Sequence, residues 1–248
     1  MKSKNSTGFL DTLKTVGYAV LFALIIRTVG YEPFNIPSKS MVPTLLVGDY
    51  LFVSKFSYGY SRYSLPFGLP LIPGRIFFTQ PKRGDVAVFK TPEDNKTDYI
   101  KRIIGLPGDH IQMKEGRLYI NGKIVPRRRV TKLPGCGLDG ATVEGGVQAY
   151  EETLPNGVVH PILEISDHEM LDNTPEFVVP AGHFFAMGDN RDNSQDSRVL
   201  DRVGYVPMQN LVGRAEFLFF STDGSAHVWE FWKWPFAIRF NRLFCGIE

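Results

Sequence analysis

The longest apolar stretch of the chain lies near its N-terminus, from about Thr15 to Tyr31. A bilayer core takes ~20 helical residues, so this stretch predicts one transmembrane helix to which flanking residues contribute. Arg27 lies near its far end, where a long cationic side chain can reach the interface. The alternative is a removable signal peptide with a loose cleavage site at positions 28–30. A retained anchor is favoured because no Ala-x-Ala-like site follows the stretch.

Basic residues at the start of the chain predict the orientation of the span. Lys2, Lys4 and Lys14 precede it, and such cations are typical of the cytoplasmic side of membrane proteins. We therefore expect residues 1–14 in the cytoplasm and everything after Tyr31 on the periplasmic or extracytoplasmic side. The sequence thus predicts a single-pass protein of the cytoplasmic (inner) membrane.

After the span, the periodicity changes from helical to strand-like. Runs rich in β-branched and aromatic residues, each bounded by Gly or Pro, predict strands at 50–54, 85–89 and 99–104. Residues 116–125 predict a hairpin, because Asn121-Gly122 between apolar runs favours a type I′ turn. Few helical segments compete, so the predicted fold class is mostly β.

Two stretches interrupt this strand pattern. Residues 112–177 are polar and rich in turns, which predicts an inserted β subdomain. Residues 56–80 combine aromatics with Pro and Gly, which predicts a long hairpin or lid. The predicted organisation is a cytoplasmic N-terminus at 1–14, a transmembrane anchor at 15–31, core parts at 32–111 and 178–222, the insertion at 112–177, and an aromatic tail at 223–248.

Composition and charge narrow the class of protein. The chain has 248 residues, of which 43% are hydrophobic, enough for a sizeable core. Its formal net charge of +2 is too small to indicate nucleic acid binding. Cys136 and Cys245 lack metal-ligand spacing. They could pair in an oxidising compartment or remain free thiols, and the sequence leaves both possibilities open.

A proline-bracketed loop after the span holds two candidate nucleophiles. Ser38 and Ser40 lie between Pro37 and Pro43, and a proline restricts its own backbone and that of the preceding residue. The loop should therefore be stiff enough to hold a hydroxyl still. An ordinary capping loop has the same composition, so a nucleophile here requires a base from elsewhere in the chain.

Lys101 is the candidate base because it occurs inside an apolar strand. Strand alternation turns either Lys101 or its neighbour Arg102 inward, so one of the two should be buried. A lysine pKa is near 10.4, and a base at neutral pH requires a fall of roughly 3 units, which burial among apolar side chains can supply. The alternative is an ordinary lysine at a sheet edge.

A third polar segment, at 187–198, is rich in Asp, Asn and Ser. Three interpretations compete: a solvated loop, a calcium loop, and a hydrogen-bonded network beside an active site. The Glu that closes an EF-hand loop has no counterpart here. No metal and no other cofactor is therefore predicted.

Together these segments resemble bacterial type I signal peptidases, membrane-anchored serine proteases that remove signal peptides from exported proteins. The resemblance covers most of the chain and rests on the strings at 38–44, 83–86, 101–102, 105–109 and 188–194. It implies a mostly β catalytic core with an inserted β domain, acting at the outer face of the membrane. It also implies Ser40 as nucleophile, Lys101 as general base, Ser38 beside the Ser40 N–H as oxyanion donor, Ser194 as the residue that orients Lys101, and Asp196 and Arg198 as braces.

The resemblance further implies what the protein binds. Shallow apolar pockets would admit small side chains at small-x-small sites, with the peptide bound as an added strand. The expected partners are the signal peptides of exported preproteins and membrane lipid, with no nucleic acid, and the protein is expected to be a monomer. The pocket candidates are Phe34, Ile36, Met41, Leu45, Val88, Tyr99 and Ile100.

The C-terminal tail has two interpretations, and the function has two alternatives. Residues 229–240 are dense in aromatics with interleaved cations, which is typical of a membrane interface and equally of core packing. A self-cleaving regulatory domain shares the serine–lysine chemistry, but the span, the insertion and the lack of a helix-turn-helix pattern argue against it. A non-catalytic membrane-anchored binding protein of the same fold is the other alternative, and the presence of Ser40, Lys101 and Ser194 argues against it.

Overall fold

The computed structural model describes residues 5–65, 68–133, 135–138, 146–226 and 229–247. Its first element is the helix α1, Asn5–Val29. The window Phe9–Val29 has a mean hydropathy of 1.7 and is not buried by the rest of the protein. Within the described ranges, α1 is the helix long and apolar enough to cross a membrane. It begins before the expected Thr15, and Tyr31, expected in the anchor, belongs to the first strand.

Short strands are the main regular elements of the described chain after α1. The prediction of a mostly β fold is confirmed. The strands are β1 Tyr31–Asn35, β2 Asp49–Ser54, β3 Tyr60–Ser61, β4 Arg75–Ile76, β5 Val86–Lys90, β6 Asp98–Gly105, β7 His110–Lys114, β8 Arg117–Ile120, β9 Lys123–Ile124, β10 Arg127–Val130, β11 Gln148–Thr153, β12 Val159–Glu164, β13 Phe177–Val178, β14 His183–Met187, β15 Val206–Pro207 and β16 Leu211–Ser221. Single 3₁₀ turns lie at Arg62–Ser64, Arg191–Asn193, Met208–Asn210 and Phe240–Arg242, and a short helix α2 spans Trp234–Ala237.

The largest sheet has seven strands in the order β1-β2-β16-β5-β6-β14-β15. The strands predicted at 50–54, 85–89 and 99–104 are β2, β5 and β6, and all three lie in its interior. Apolar residues pack on both faces, with Val53 and Val88 in one cluster and Phe89 and Ile103 in another. Because both faces are covered, the sheet is a rigid support for side chains that project from β6.

Two smaller sheets are built from the chain between His110 and Val178. One has the order β13-β7-β8-β9 and the other β10-β11-β12. The predicted hairpin is the β8–β9 pair, in which Asn121 and Gly122 have φ of 53° and 73°, as a type I′ turn requires. Ile111 of β7 belongs to the same apolar cluster as Phe185 of β14. The insertion is therefore packed onto the main sheet.

The stretch 56–80 forms a hairpin in which β3 pairs with β4. Tyr58, just before β3, is buried and donates a hydrogen bond of 2.9 Å to Asp85 Oδ2. Phe67, one of the aromatic residues that suggested a lid, lies outside the described residues.

Cys136 and Cys245 form a disulfide, with their Cα atoms 5.7 Å apart. The sequence left open a disulfide or two free thiols, and the structure has the disulfide. The described part of the chain has no free cysteine. The bond links the loop after β10 to the end of the chain. Arg242 strengthens the same junction, because it donates to the Cys136 carbonyl and forms an ion pair of 2.6 Å with Asp49.

The aromatic tail is largely exposed. The exposed fractions of Trp229, Phe231 and Phe236 are 71%, 68% and 87%. Core packing, one of the two interpretations of this segment, is therefore wrong for these side chains, since most of the surface of each is exposed. Ala237 at the end of α2 is buried and holds the segment to the body of the protein.

Candidate active site

The serine loop lies between β1 and β2 and is fastened at several points. Met41 and Leu45 are fully buried beneath it, and the Leu45 N–H donates to the Met41 carbonyl at 2.9 Å. The Ser40 carbonyl accepts a hydrogen bond of 3.1 Å from the Asn190 N–H, and the Asn190 side chain donates to the Lys39 carbonyl at 3.1 Å. The predicted stiffness therefore comes from buried apolar side chains and loop-to-loop hydrogen bonds as well as from proline.

Lys101 reaches Ser40 from β6, and its Nζ lies 2.6 Å from Ser40 Oγ. Only 4% of Lys101 and 8% of Ser40 are exposed. Burial lowers the pKa of Lys101 to about 8, although the carboxylates of Asp196 and Asp189 oppose the shift. About a tenth of the lysine is then neutral at pH 7. The neutral amine is the form that can accept a proton from a serine hydroxyl.

The other two predicted hydroxyls differ in their contacts. Ser38 Oγ lies 3.3 Å from Ser40 Oγ, so a second, rotatable hydroxyl stands beside the first. Ser194 Oγ is buried but makes no hydrogen bond with Lys101, so the expected orienting contact is absent. Ser194 packs instead against Gly188, where an added Cβ would lie 2.3 Å from Ser194 Oγ and 2.5 Å from the Ser40 carbonyl oxygen. Because glycine has no side chain, position 188 allows the segments that carry Ser40 and Ser194 to pack closely together.

Asp196 and Arg198 form a buried ion pair of 2.9 Å. Asp196 also accepts a hydrogen bond of 3.0 Å from the Gly188 N–H, and Arg198 donates to the Arg191 carbonyl. Among the three interpretations of the segment 187–198, these contacts fit a hydrogen-bonded network. They hold the segment in place behind Ser40, which is consistent with the bracing role expected for both residues.

An open cavity of about 570 Å³ lies in front of Ser40 and Lys101. Five of the seven expected pocket residues line it: Phe34, Ile36, Val88, Tyr99 and Ile100. The expectation was wrong for the other two, since Met41 and Leu45 are 0% exposed and point into the core cluster under the loop. Asn193 and Gln195 also line the cavity, and they were not expected from the sequence.

Comparison with known proteins identifies the family to which this arrangement belongs. The family model described as "Signal peptidase, peptidase S26" matches residues 9–220. The chain belongs to the signal peptidase family. Peptidase S26 is a family of serine proteases, and the chain is accordingly a hydrolase.

Curated relatives agree with this assignment over most of their length. Signal peptidase I of Rickettsia typhi is 44% identical over 215 residues, which cover 83% of this chain and 78% of the relative. Signal peptidase I of Rickettsia akari is 41% identical over 246 residues, covering 92% and 89%. The crystal structure of a signal peptidase I from Enterococcus faecalis is 26% identical, with a TM-score of 0.32, and covers 55% of this chain and 97% of that one.

Beneath the site, the peptidase contains buried ion pairs that sequence reasoning missed. Arg102 donates to both carboxylate oxygens of Asp189, at 2.9 and 2.8 Å, so both neighbouring cations of β6 are buried rather than one. Arg191 pairs with Glu152 of β11, and burial of Glu152 is outweighed by Arg191, which brings its pKa to about 2. His160 of β12 lies 3.3 Å from both carboxylates and links the two pairs. The insertion is thereby joined to the segment that supports Ser40.

The peptidase should gain activity as pH rises through about 8. The lowered pKa of Lys101 means that the protonated form, which cannot accept a proton, dominates below that value and the neutral amine dominates above it. We expect kcat/KM to rise about tenfold per pH unit below pH 7 and to level off above pH 8. A pH profile of peptide cleavage measures this directly, and a profile with no rising limb between pH 6 and pH 9 would exclude Lys101 as the titrating base.

Proposed function

We propose that this chain removes N-terminal signal peptides from exported preproteins by acyl transfer, with Ser40 as nucleophile and Lys101 as general base. The observation that carries the proposal is the 2.6 Å contact between Lys101 Nζ and Ser40 Oγ in a buried setting. Membership of the signal peptidase family and the names of its relatives support the choice of substrate. They also favour a protease over the two alternatives, a self-cleaving regulatory domain and a binding protein.

The mechanism begins with a proton transfer from Ser40 Oγ to neutral Lys101. The serine oxygen attacks the scissile carbonyl, and the oxyanion is held by the Ser40 N–H and the Ser38 hydroxyl, donors that contribute roughly 3–4 kcal/mol each in other enzymes. Lys101 then gives its proton to the departing amine, which leaves an ester on Ser40. Finally, Lys101 takes a proton from water as the water oxygen attacks the ester. The protonated Lys101 then returns that proton to Ser40 Oγ as the ester bond breaks, and the signal peptide is released as a carboxylic acid that ionises in water.

The substrate would bind as an extended strand in the cavity in front of Ser40. An extended backbone presents alternate side chains to the same surface, which suits a preference for small residues at two positions separated by one. Phe34, Ile36 and Ile100 supply apolar walls there. Bulky substrate side chains at these two positions would collide with the cavity walls. Because the wall residues are close-packed, moving them aside costs free energy.

We further propose a single-pass topology with the catalytic domain on the periplasmic side. Three observations support it: the cations Lys2, Lys4 and Lys14 before the span, the Cys136–Cys245 disulfide, which suits an oxidising compartment, and the exposed aromatic tail, which suits a lipid interface. A monomer suffices for this activity, because the proposed nucleophile and base lie on one chain.

Sealed membrane vesicles test function and topology together. Right-side-out vesicles that contain the full chain should cut an added peptide with an Ala-x-Ala site without detergent, whereas inverted vesicles should require detergent. A matched peptide with Leu in place of the last Ala should be cut at least tenfold more slowly, since a bulky residue loses its pocket. Cleavage by intact inverted vesicles would contradict the topology, and equal cleavage of both peptides would contradict the pocket assignment.

A further inference from the structure

A second cavity adjoins the substrate cavity on the side of α1. It has a volume of about 390 Å³, and Arg27 and Thr28 at the end of α1 contribute to its wall. Phe34 and Asp98 line both cavities. The two cavities therefore adjoin at these two residues, and together they extend from Ser40 to the end of α1. We call the second space the basic cavity.

The basic cavity is rich in positive charge. Its carboxylates are already paired: Glu32 lies 2.6 Å from Arg27 and 2.9 Å from Lys55, and Asp98 lies 2.8 Å from Lys90. The cations that line the cavity are Arg27, Lys55, Arg62, Lys90 and Lys96, against the two carboxylates. The excess of three positive charges makes the interior attractive to anions and unfavourable to cations.

Arg62 and Lys96 carry most of this uncompensated charge. Neither side chain forms an ion pair with any residue that the structure describes, and both are exposed. Arg62 donates one hydrogen bond to Tyr63 Oη, and its Cζ lies 4.6 Å from the centre of the Tyr63 ring; neither contact neutralises its charge. These two cations are therefore the residues through which the cavity can select a ligand by charge.

The position of the basic cavity relative to the cut determines what would occupy it. A signal peptide leads back from the cleavage site to the membrane, and the end of α1 marks that side of the molecule. The path from Ser40 to α1 follows the serine loop and β1, past Ile36, Phe34 and Glu32. Because strands advance by ~3.3 Å per residue, a peptide that runs beside β1 would place roughly its fourth to seventh residues before the cut in the basic cavity.

We propose that the basic cavity is an upstream subsite that accepts polar or acidic residues of the signal peptide and rejects lysine and arginine. The inference rests on the proposed function and adds a second rule of selection to it. The substrate cavity beside Ser40 would select small side chains, and the basic cavity near α1 would select by charge. Preproteins with basic residues close to the cut would then be poor substrates.

Three peptides test the subsite with the purified full chain in neutral detergent. They share an Ala-x-Ala site and differ only at the fifth residue before the cut, which is Asp, Gln or Lys. At low ionic strength we expect kcat/KM to be about tenfold higher for the Asp peptide than for the Lys peptide. In about 0.5 M salt the ratio should fall, because screening weakens interactions between partly exposed charges.

Two charge-matched double variants locate the effect. Arg62→Gln/Lys96→Gln should reduce the Asp-to-Lys ratio from about tenfold to about twofold. Lys114→Gln/Lys123→Gln removes the same number of charges from exposed positions on β7 and β9 and should leave the ratio unchanged. Cleavage of the Gln peptide by the wild-type chain tests the proposed peptidase function, because this peptide carries no charge at the tested position. If the Gln peptide is not cut, the proposed function fails, and the charge-selective subsite is not the cause.

Equal kcat/KM for the three peptides, with the Gln peptide cut normally, would overturn the subsite. So would a ratio that survives in Arg62→Gln/Lys96→Gln or disappears in the control variant. The alternative occupant is the headgroup of an anionic phospholipid. If the double variant kept its peptide selectivity but lost binding of phosphatidylglycerol, measured by native mass spectrometry, the cavity would be a lipid site and the proposal would be wrong.

Discussion

Ser40→Ala and Lys101→Met are each expected to reduce kcat for preprotein cleavage by roughly 10⁴-fold or more. Ser40→Ala removes the proposed nucleophile, and Lys101→Met removes the proposed base, 2.6 Å from it, while keeping an apolar side chain of similar length. Because the two residues act in one step, the double variant should be no slower than the worse single variant. Single-turnover cleavage of a preprotein measures all three.

Stability must be checked beside activity in these variants. Lys114→Met, at an exposed lysine in β7, is a matched control that should keep full activity. The two active-site variants should unfold at denaturant concentrations close to that of the wild-type chain. Their loss of activity would then come from the missing side chain and not from unfolding. Cleavage by Lys101→Met within tenfold of the wild-type rate would eliminate Lys101 as the base, and comparable cleavage by Ser40→Ala would eliminate the acyl-enzyme.

Arg102→Met is expected to lower the free energy of unfolding by about 3–5 kcal/mol. Arg102 and Asp189 are 0% and 1% exposed, and the guanidinium group donates to both carboxylate oxygens. Removal of Arg102 leaves a carboxylate in a place where water cannot solvate it. Chemical denaturation of the detergent-solubilised chain, monitored by intrinsic fluorescence, measures the change.

An exposed ion pair supplies the control for this prediction. Arg128 pairs with Glu151, but 75% of its side chain is exposed, and Arg128→Met should cost less than about 1 kcal/mol. Arg102→Met/Asp189→Asn should recover part of the loss, since the uncompensated charge is gone. Equal effects of Arg102→Met and Arg128→Met would show that the buried pair contributes nothing special to stability.

The sequence predicted the fold and the site best where the outcome depends on a single stretch of chain. An apolar run of nearly the length of a bilayer core predicted α1, and β-branched runs bounded by Gly and Pro predicted β2, β5 and β6. The turn at Asn121-Gly122 followed from backbone preference alone. A lysine inside an apolar strand predicted a buried cation, because strand alternation must turn one of two neighbours inward.

Predictions failed where the outcome depended on which surface a side chain meets. Met41 and Leu45 have the same apolar character as Ile36, yet they point beneath the loop into the core and not into the cavity. Ser194 is close to Ser40 but packs on Gly188 and makes no hydrogen bond with Lys101. Residue type does not distinguish these cases, since each depends on the direction of one side chain in the folded loop.

By itself, the sequence determined an N-terminal helix long and apolar enough to cross a membrane, the mostly β class, and the identity of the candidate serine and lysine. Those features follow from periodicity, local backbone preference and residue chemistry, which are all readable along one segment of chain. Only the tertiary structure decided that Lys101 meets Ser40, that Cys136 bonds Cys245, and that Glu152 and Arg102 belong to one buried ionic cluster. These contacts join residues far apart in the chain, and the cost of burying Arg102 and Glu152 is offset by partners that come from other segments.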